Sequence, residues 1–71
     1  MDNNKKMELL TDLFETEELT PETQLAELEN WDSMMKLSLI VMMDDELGKA
    51  LSGEQISTFQ TVQDIMAFMD A

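Results

Sequence analysis

One serine in this chain combines a neighbouring carboxylate with a position at the predicted start of a helix. Ser33 lies in the segment Trp31-Asp32-Ser33-Met34, which follows a long stretch without helical periodicity. Asp32 is a favoured N-cap residue, because its carboxylate accepts hydrogen bonds from free backbone N–H groups and suits the positive helix end. A hydroxyl there is accessible to a modifying enzyme, and a phosphodiester on it would lie near that positive end. An Asp-Ser pair is also a common structural cap, so the pair alone does not decide between the two interpretations.

The chain lacks the side chains on which most catalysis depends. It has no Cys and no His, which removes thiol nucleophiles, the usual general base and the commonest metal ligand. Gly48 and Gly53 are its two glycines, too few for a glycine-rich phosphate loop. Asp44 and Asp45 lack the spacing of a calcium loop, and we interpret them as part of a solvated helix face. We therefore expect a non-enzymatic protein with no catalytic residues and no metal site.

The charge of the chain restricts its partners. Sixteen Asp and Glu face four Lys and no Arg, which gives a net charge of −12. Such a surface repels nucleic acid and anionic membranes and attracts proteins with basic patches. It also opposes its own compact state, so salt should stabilise the fold. Hydrophobic residues make up 44% of the chain and fall in periodic blocks, which argues against disorder.

Two elements precede the serine. Met7, Leu10 and Phe14 repeat at helical spacing and predict an amphipathic first helix over roughly residues 2–15. Residues 16–31 show no sustained period and predict a long connection with one short helical turn starting at Pro21. The apolar residues expected to hold this connection against the core are Leu19, Leu25 and Leu28.

The second helix is predicted from Asp32 or Ser33 to Leu47, with Gly48 as its C-terminal stop. Its apolar residues cover more than one face, which indicates either a central helix or a surface that awaits a partner. Within it, we place Met34 and Leu37 on the inward stripe and Met35 on the surface. The content of eight methionines is explained more simply by core filling than by an adaptable lining or a soft partner surface.

Two further side chains near the serine have structural interpretations. We expect Trp31 to pack against the long connection. Lys36 should be solvated and pair locally with Asp32 at i, i+4.

The remaining chain predicts a short helical element and a final helix. Leu51, Ile56 and Phe59 should point inward from the short element, and the last helix should begin at Thr61. No strand-like alternation competes, so the predicted fold is all-α: a small four-helix bundle of three main helices plus one short helix, with a long loop between helices 1 and 2. The clearest helical stripe of the chain lies in the last helix: Val62, Ile65, Met66 and Met69.

Several features together resemble one family. Asp32-Ser33-Met34 is similar to the Asp-Ser-Leu motif of acyl carrier proteins, with Met in place of Leu. Residues 37–47 resemble the second helix of that family, an apolar run that closes in an acidic cluster. The distance onward to Thr61-Val62 is also that of the family, and the similarity covers about residues 19–69.

The resemblance implies a carrier of acyl groups, held as thioesters on a 4′-phosphopantetheine arm that is attached covalently to Ser33. A phosphopantetheinyl transferase would supply the arm from coenzyme A. The carrier would then shuttle acyl groups among acyl-loading, acyl-transfer or condensing enzymes with basic patches, in fatty-acid, polyketide or related specialised biosynthesis. The residues implied in partner recognition are Asp32, Met34, Met35, Lys36, Asp44, Asp45 and Glu46.

Two alternatives remain open at this point. One is an aminoacyl or peptidyl carrier, and the other is an unmodified acidic protein-interaction module. The family often carries acids in the turns after the serine, whereas this chain has Met35, Lys36 and Ser38 there. That departure favours a specialised carrier with dedicated partners.

We expect residues 1–71 to form a single acyl-carrier-like domain, complete from Met1, monomeric and cytoplasmic. No apolar signal region follows the N-terminus. The longest apolar run, residues 39–43, is far too short for stable membrane insertion.

Overall fold

The computed structural model describes residues 2–70, which form four α-helices and one 3-10 turn. This confirms the predicted all-α bundle with three main helices and one short one. None of the helices in the described part is long and apolar enough to cross a membrane. The elements in chain order are α1 (Asn3–Phe14), the 3-10 turn (Leu25–Glu27), α2 (Ser33–Leu47), α3 (Gly53–Ile56) and α4 (Val62–Asp70).

Helix α1 begins and ends close to the predicted positions. The carboxylate of Asp2 accepts a hydrogen bond of 2.8 Å from the backbone N–H of Lys5, which caps the first turn. The helix stops where Glu15 adopts a left-handed conformation, with φ of 55°. Leu10 and Phe14 are buried, so the predicted stripe does face the core.

The first connection is held as predicted, but its helical turn lies elsewhere. Leu19 and Leu25 are buried and Leu28 is partly buried. The prediction of a helical turn starting at Pro21 is wrong, since the helical turn begins at Leu25. The Thr23 hydroxyl accepts the backbone N–H of Thr20 at 3.0 Å, and this local side-chain bond favours a tight turn over a helix.

An antiparallel bridge joins the first connection to the start of α4. Gln24 and Thr61 form this bridge, which is isolated rather than part of a strand. Beside it, the backbone N–H of Leu25 donates to the carbonyl of Gln60 at 2.9 Å. Two N–H groups at the start of α4 donate back to carbonyls of the connection. The loop before α2 is therefore fixed by backbone hydrogen bonds as well as by apolar contacts.

Helix α2 has the predicted bounds. Gly48 takes φ of 63° at its C-terminus, in the region that glycine adopts without steric cost. The N–H of Gly48 donates to the Asp44 carbonyl at 3.0 Å, and the N–H of Lys49 donates to the Met43 carbonyl at 3.1 Å. These bonds satisfy carbonyls that would otherwise lack partners at the helix end.

Helices α3 and α4 are both capped by side chains. Ser52 and Gln55 form a reciprocal capping box at the start of α3. At the start of α4, the Asp64 carboxylate accepts the backbone N–H groups of Gln60 at 2.8 Å and Thr61 at 3.1 Å. Both hydrogen bonds favour the ionised carboxylate and lower the pKa of Asp64, and the bond from Gln60 has the larger effect.

One core lies between the helices and the first connection. All four residues of the α4 stripe are buried, and Phe59 packs partly buried against them, as predicted. Three methionines lie in this core, which confirms core filling for those positions. The buried apolar side chains are Leu10, Phe14, Leu19, Leu25, Leu39, Met43, Leu51, Ile56, Val62, Ile65, Met66 and Met69.

A buried lysine links the first helix to the last. Lys6 is only 2% exposed, and its ammonium is paired with the carboxylate of Asp70. Asn3 Oδ1 accepts a second hydrogen bond from the same ammonium at 3.3 Å. The hydrogen bond from Lys6 holds the pKa of Asp70 below its usual value. The paired charges thus tie the end of α4 to α1.

Candidate functional site

Ser33 is the first residue of α2 and is exposed. Asp32 precedes it in an extended conformation, and its carboxylate accepts the backbone N–H of Met35 at 2.9 Å. The structure therefore confirms both the helix start and the capping role of Asp32. The Asp32 carboxylate is thus engaged by the first turn, whereas Ser33 beside it is exposed.

An apolar stripe runs along the exposed side of α2. Met34, Leu37 and Val41 are 79%, 61% and 58% exposed and lie at i, i+3 and i+7. Such an apolar face beside an accessible serine is the type of surface that another protein covers.

The predicted orientation of α2 is wrong. Met34 and Leu37 point outward rather than inward, and Met35 is partly buried against the core rather than a surface contact. The buried face is instead set by Leu39 and Met43, with Met35 one turn before Leu39. The helix is apolar around most of its circumference, so its own sequence contains no unique inward face.

A groove of about 420 Å³ opens beside the serine, between α2 and α3. Ser33 and Lys36 lie at one side of it, and its apolar walls include Leu37, Ile40 and Ile56. An exposed serine therefore lies at the edge of a largely apolar groove. Sequence reasoning missed Ile40 and Ile56 as groove residues, because the packing of α3 against α2 was not part of any local pattern.

Lys36 differs from its predicted contact, and Trp31 makes a contact that the sequence did not predict. The ring of Trp31 lies against Phe14 at the end of α1, with the two ring centroids 5.8 Å apart. Lys36 does not pair with Asp32; its ammonium lies 5.5 Å from the centre of the Trp31 ring. The backbone carbonyl of Phe14 accepts a 2.9 Å hydrogen bond from Asn30, which draws the end of the connection onto α1 and presents Trp31 to Lys36.

The acidic residues of α2 lie at its far end. Asp44, Asp45 and Glu46 are all exposed, which confirms the predicted solvated face. At 1.5 Å per residue, this cluster is roughly 16–20 Å along the helix from Ser33. In residues 2–70 no three His, Cys, Asp or Glu side chains are grouped to hold a metal ion. The residues implied in partner recognition therefore form two groups, one at each end of α2.

A second shallow groove runs from the middle of α2 to the acidic group at its far end. Its lining includes Leu37 and Val41 of the apolar stripe together with Asp45 and Glu46. Val41 was not among the predicted partner residues. The signal that could have found it is its spacing from Met34, seven residues or two helical turns away, once Met34 is known to be exposed.

Comparisons with known proteins give matches over most of the chain. A family described as "Phosphopantetheine attachment site" matches residues 7–69. An acyl carrier protein from Thermosynechococcus vestitus is 33% identical over 54 residues, which cover 76% of this chain and 67% of that protein. No solved structure matches the chain significantly.

Proposed function

Because the chain belongs to the phosphopantetheine-attachment family, we propose that it carries acyl groups as thioesters on a 4′-phosphopantetheine arm attached to Ser33. The chain is a non-catalytic carrier, and phosphopantetheine is the cofactor of its family. The observation that carries the choice of residue is the exposed Ser33 hydroxyl, at the start of α2 and at the edge of an apolar groove. The resemblance of Asp32-Ser33-Met34 to the family motif supports the same residue.

The attachment is a phosphoryl-group transfer from coenzyme A. The Ser33 oxygen forms a bond to phosphorus, the adenosine bisphosphate half of coenzyme A leaves with its electron pair, and the hydroxyl proton goes to a base of the transferase or to water. The bound cofactor supplies a thiol that can hold an acyl group as a thioester. This chain has no Cys, so its own residues offer no alternative thiol. Since the modification consumes coenzyme A, we place the protein in the cytoplasm.

We propose α2 as the surface that partner enzymes contact. Family membership implies a phosphopantetheinyl transferase and further partner enzymes. The stripe of Met34, Leu37 and Val41 offers apolar contact, and the acids at the far end of α2 suit a basic patch. Acids are absent from the turns immediately after Ser33, so we favour dedicated enzymes of a specialised pathway over those of general fatty-acid synthesis.

The attachment site is tested by modification in vitro. The protein is incubated with coenzyme A, Mg²⁺ and several broad-specificity phosphopantetheinyl transferases, and its intact mass is measured. We expect a mass gain of one arm in the wild type and in Ser38→Ala, a matched variant of an exposed serine on the same helix. We expect no gain in Ser33→Ala. A gain in Ser33→Ala, or none in the wild type while known carriers react, contradicts the proposal.

The acyl cargo is a separate part of the proposal, supported by the similarity to an acyl carrier protein. Mass spectrometry of the native, thioester-loaded protein identifies the cargo directly. A fatty or polyketide acyl group supports the assignment, whereas an amino-acid or peptide thioester would place the chain among aminoacyl or peptidyl carriers.

A further inference from the structure

Lys36 is an unusual cation in this molecule. The chain has four Lys and no Arg or His, and Lys36 is the one basic residue in α2. Sixteen carboxylates are present, yet Lys36 forms no ion pair with any of those in residues 2–70. Its ammonium is instead held 5.5 Å from the Trp31 ring centre. An ammonium that no carboxylate of residues 2–70 pairs with can pair with an anion brought to its neighbourhood.

The geometry puts this cation beside Ser33. The two residues lie at i and i+3, so they are neighbours on one face of the helix. They also line the same groove between α2 and α3. Helical side chains lean toward the N-terminus of their helix, which carries the Lys36 stem back toward the turn that contains Ser33. The contact with Trp31, two residues before Ser33, agrees with that direction.

We propose that Lys36 is a positioning residue for the arm: its ammonium pairs with the phosphodiester on Ser33. This inference rests on the proposed function, because it requires the arm to be attached at Ser33. A phosphodiester keeps one negative charge at neutral pH, and Lys binds phosphate as a compact point charge with three donors. The pair fixes the root of the arm over the groove walled by Leu37, Ile40 and Ile56.

The pairing has a spectroscopic signature that a structural role for Lys36 lacks. A phosphodiester does not titrate between pH 7 and 11, so a step in its ³¹P chemical shift reports a charged neighbour. Lysine ordinarily loses its proton near pH 10.4. We therefore expect the ³¹P resonance of the modified wild type to step once as the pH is raised through the alkaline range, and we expect no such step in Lys36→Gln.

Two controls isolate the contact. The arm thiol is alkylated before the titration, because its own ionisation falls in the same range. Lys49→Gln removes a lysine beyond the C-terminal end of α2, whereas Ser33 is at the N-terminal end, and this variant should keep the full step. The methyl resonances of buried Met43 and Met66 show in each sample that the fold persists at high pH.

The conservative variant tests the consequence for the arm. Lys36→Arg keeps the charge without titrating in this range, so the ³¹P shift should stay constant and near the wild-type value of pH 7. Relaxation of the arm's methyl groups should show faster motion in Lys36→Gln than in the wild type and Lys36→Arg. Identical ³¹P profiles and identical arm motion in the wild type and Lys36→Gln overturn the inference.

The mass of the starting material separates this inference from the function on which it rests. If the transferase adds an arm to Ser33 but the ³¹P profile is the same in the wild type and Lys36→Gln, only the proposed role of Lys36 fails. If no arm is added at Ser33, the proposed function fails and the inference falls with it.

Discussion

At the scale of single residues, Asp32 and Ser33 are adjacent but have different tasks. The Asp32 carboxylate accepts the N–H of Met35, so it already has a structural role in holding the first turn of α2. Ser33 makes no contribution of this kind and remains exposed. The sequence predicted both features, because capping depends only on the residues of one turn.

Asp32→Ala should weaken the fold by about 1 kcal/mol, since it removes the side-chain acceptor of the Met35 backbone N–H. Asp32→Asn keeps an oxygen at that position and should recover most of the loss. Urea denaturation followed by circular dichroism measures both changes. Equal stability of Asp32→Ala and the wild type would show that the cap does not stabilise α2. If Asp32→Asn is as stable as the wild type but receives the arm more slowly, the transferase recognises the negative charge of Asp32.

Asp64 gives a pH dependence whose direction follows from its hydrogen bonds. Backbone N–H groups of Gln60 and Thr61 favour the ionised carboxylate and lower its pKa in the folded state. The stabilisation is therefore complete above the unfolded-state value, close to the ordinary 3.8, and it is lost as the pH falls through the lower folded-state pKa.

Asp64→Asn preserves an acceptor but removes the charge, so it should be less stable than the wild type at pH 6. The two stabilities should converge as the pH falls below the ordinary Asp value. Thermal unfolding of both proteins between pH 6 and pH 2.5 gives the difference in their stability at each pH. The other carboxylates affect both proteins equally, so their contribution cancels in this difference. A difference that stays constant or grows toward low pH contradicts this assignment.

At the scale of the element, α2 separates what local sequence can predict from what it cannot. Both of its ends were predicted, because Asp32 and Gly48 act within one turn. The rotation of α2 about its own axis was not predicted, because apolar residues surround the helix and its inward face is set by packing against the rest of the core. Two other features also depend on contacts between elements and were not predicted. They are the position of Ile56 in the groove wall and the contact of Trp31 with Phe14.

Two leucines of α2 test this rotation directly. Leu39 is fully buried and Leu37 is 61% exposed. Leu39→Ala should cost about 2–5 kcal/mol through lost burial and the cavity that remains. Leu37→Ala should change the free energy of unfolding by about 0.5 kcal/mol or less. Chemical denaturation of the two variants measures both values, and a reversed order of their effects would contradict the observed orientation.

The same two leucines should have the opposite order in partner contact. Leu37→Ala removes part of the exposed stripe and should slow arm transfer at an unchanged fold. The rate is measured by intact mass against time. A matched control is Glu54→Gln, an exposed residue in α3 outside the stripe, which should react at the wild-type rate.

At the scale of the whole molecule, negative charge is concentrated in a small volume. The radius of gyration is 10.9 Å, close to the Debye length of about 10 Å at 0.1 M salt. Most of the sixteen acids therefore act on each other in dilute buffer, and their repulsion favours expansion.

Salt should consequently raise the melting temperature. Screening worth about 1 kcal/mol would raise Tm by about 4–8 °C for a domain of this size. Scanning calorimetry from 20 mM to 500 mM NaCl measures the rise, and the double variant Asp44→Asn, Asp45→Asn should show a smaller one. A Tm that is constant or falls with salt would refute the role of repulsion. The same salt should slow encounter with basic partners, so stability and association rate should respond in opposite directions.

The bridge between Gln24 and Thr61 has a consequence for how the molecule opens. Its partners lie slightly more than half the chain apart, and the segment between them contains Ser33, α2 and α3. The bridge closes this segment into a loop. The chain loses conformational entropy when the bridge forms and regains it only when the bridge breaks. We expect that the short α3 detaches from α2 more readily than the bridge breaks, while both ends of the segment stay fixed. Such a partial opening exposes little core and belongs to the low free-energy end of native-state fluctuations. Amides of α3 should therefore exchange with solvent hydrogen well before those at the bridge, and the groove beside Ser33 should widen without global unfolding.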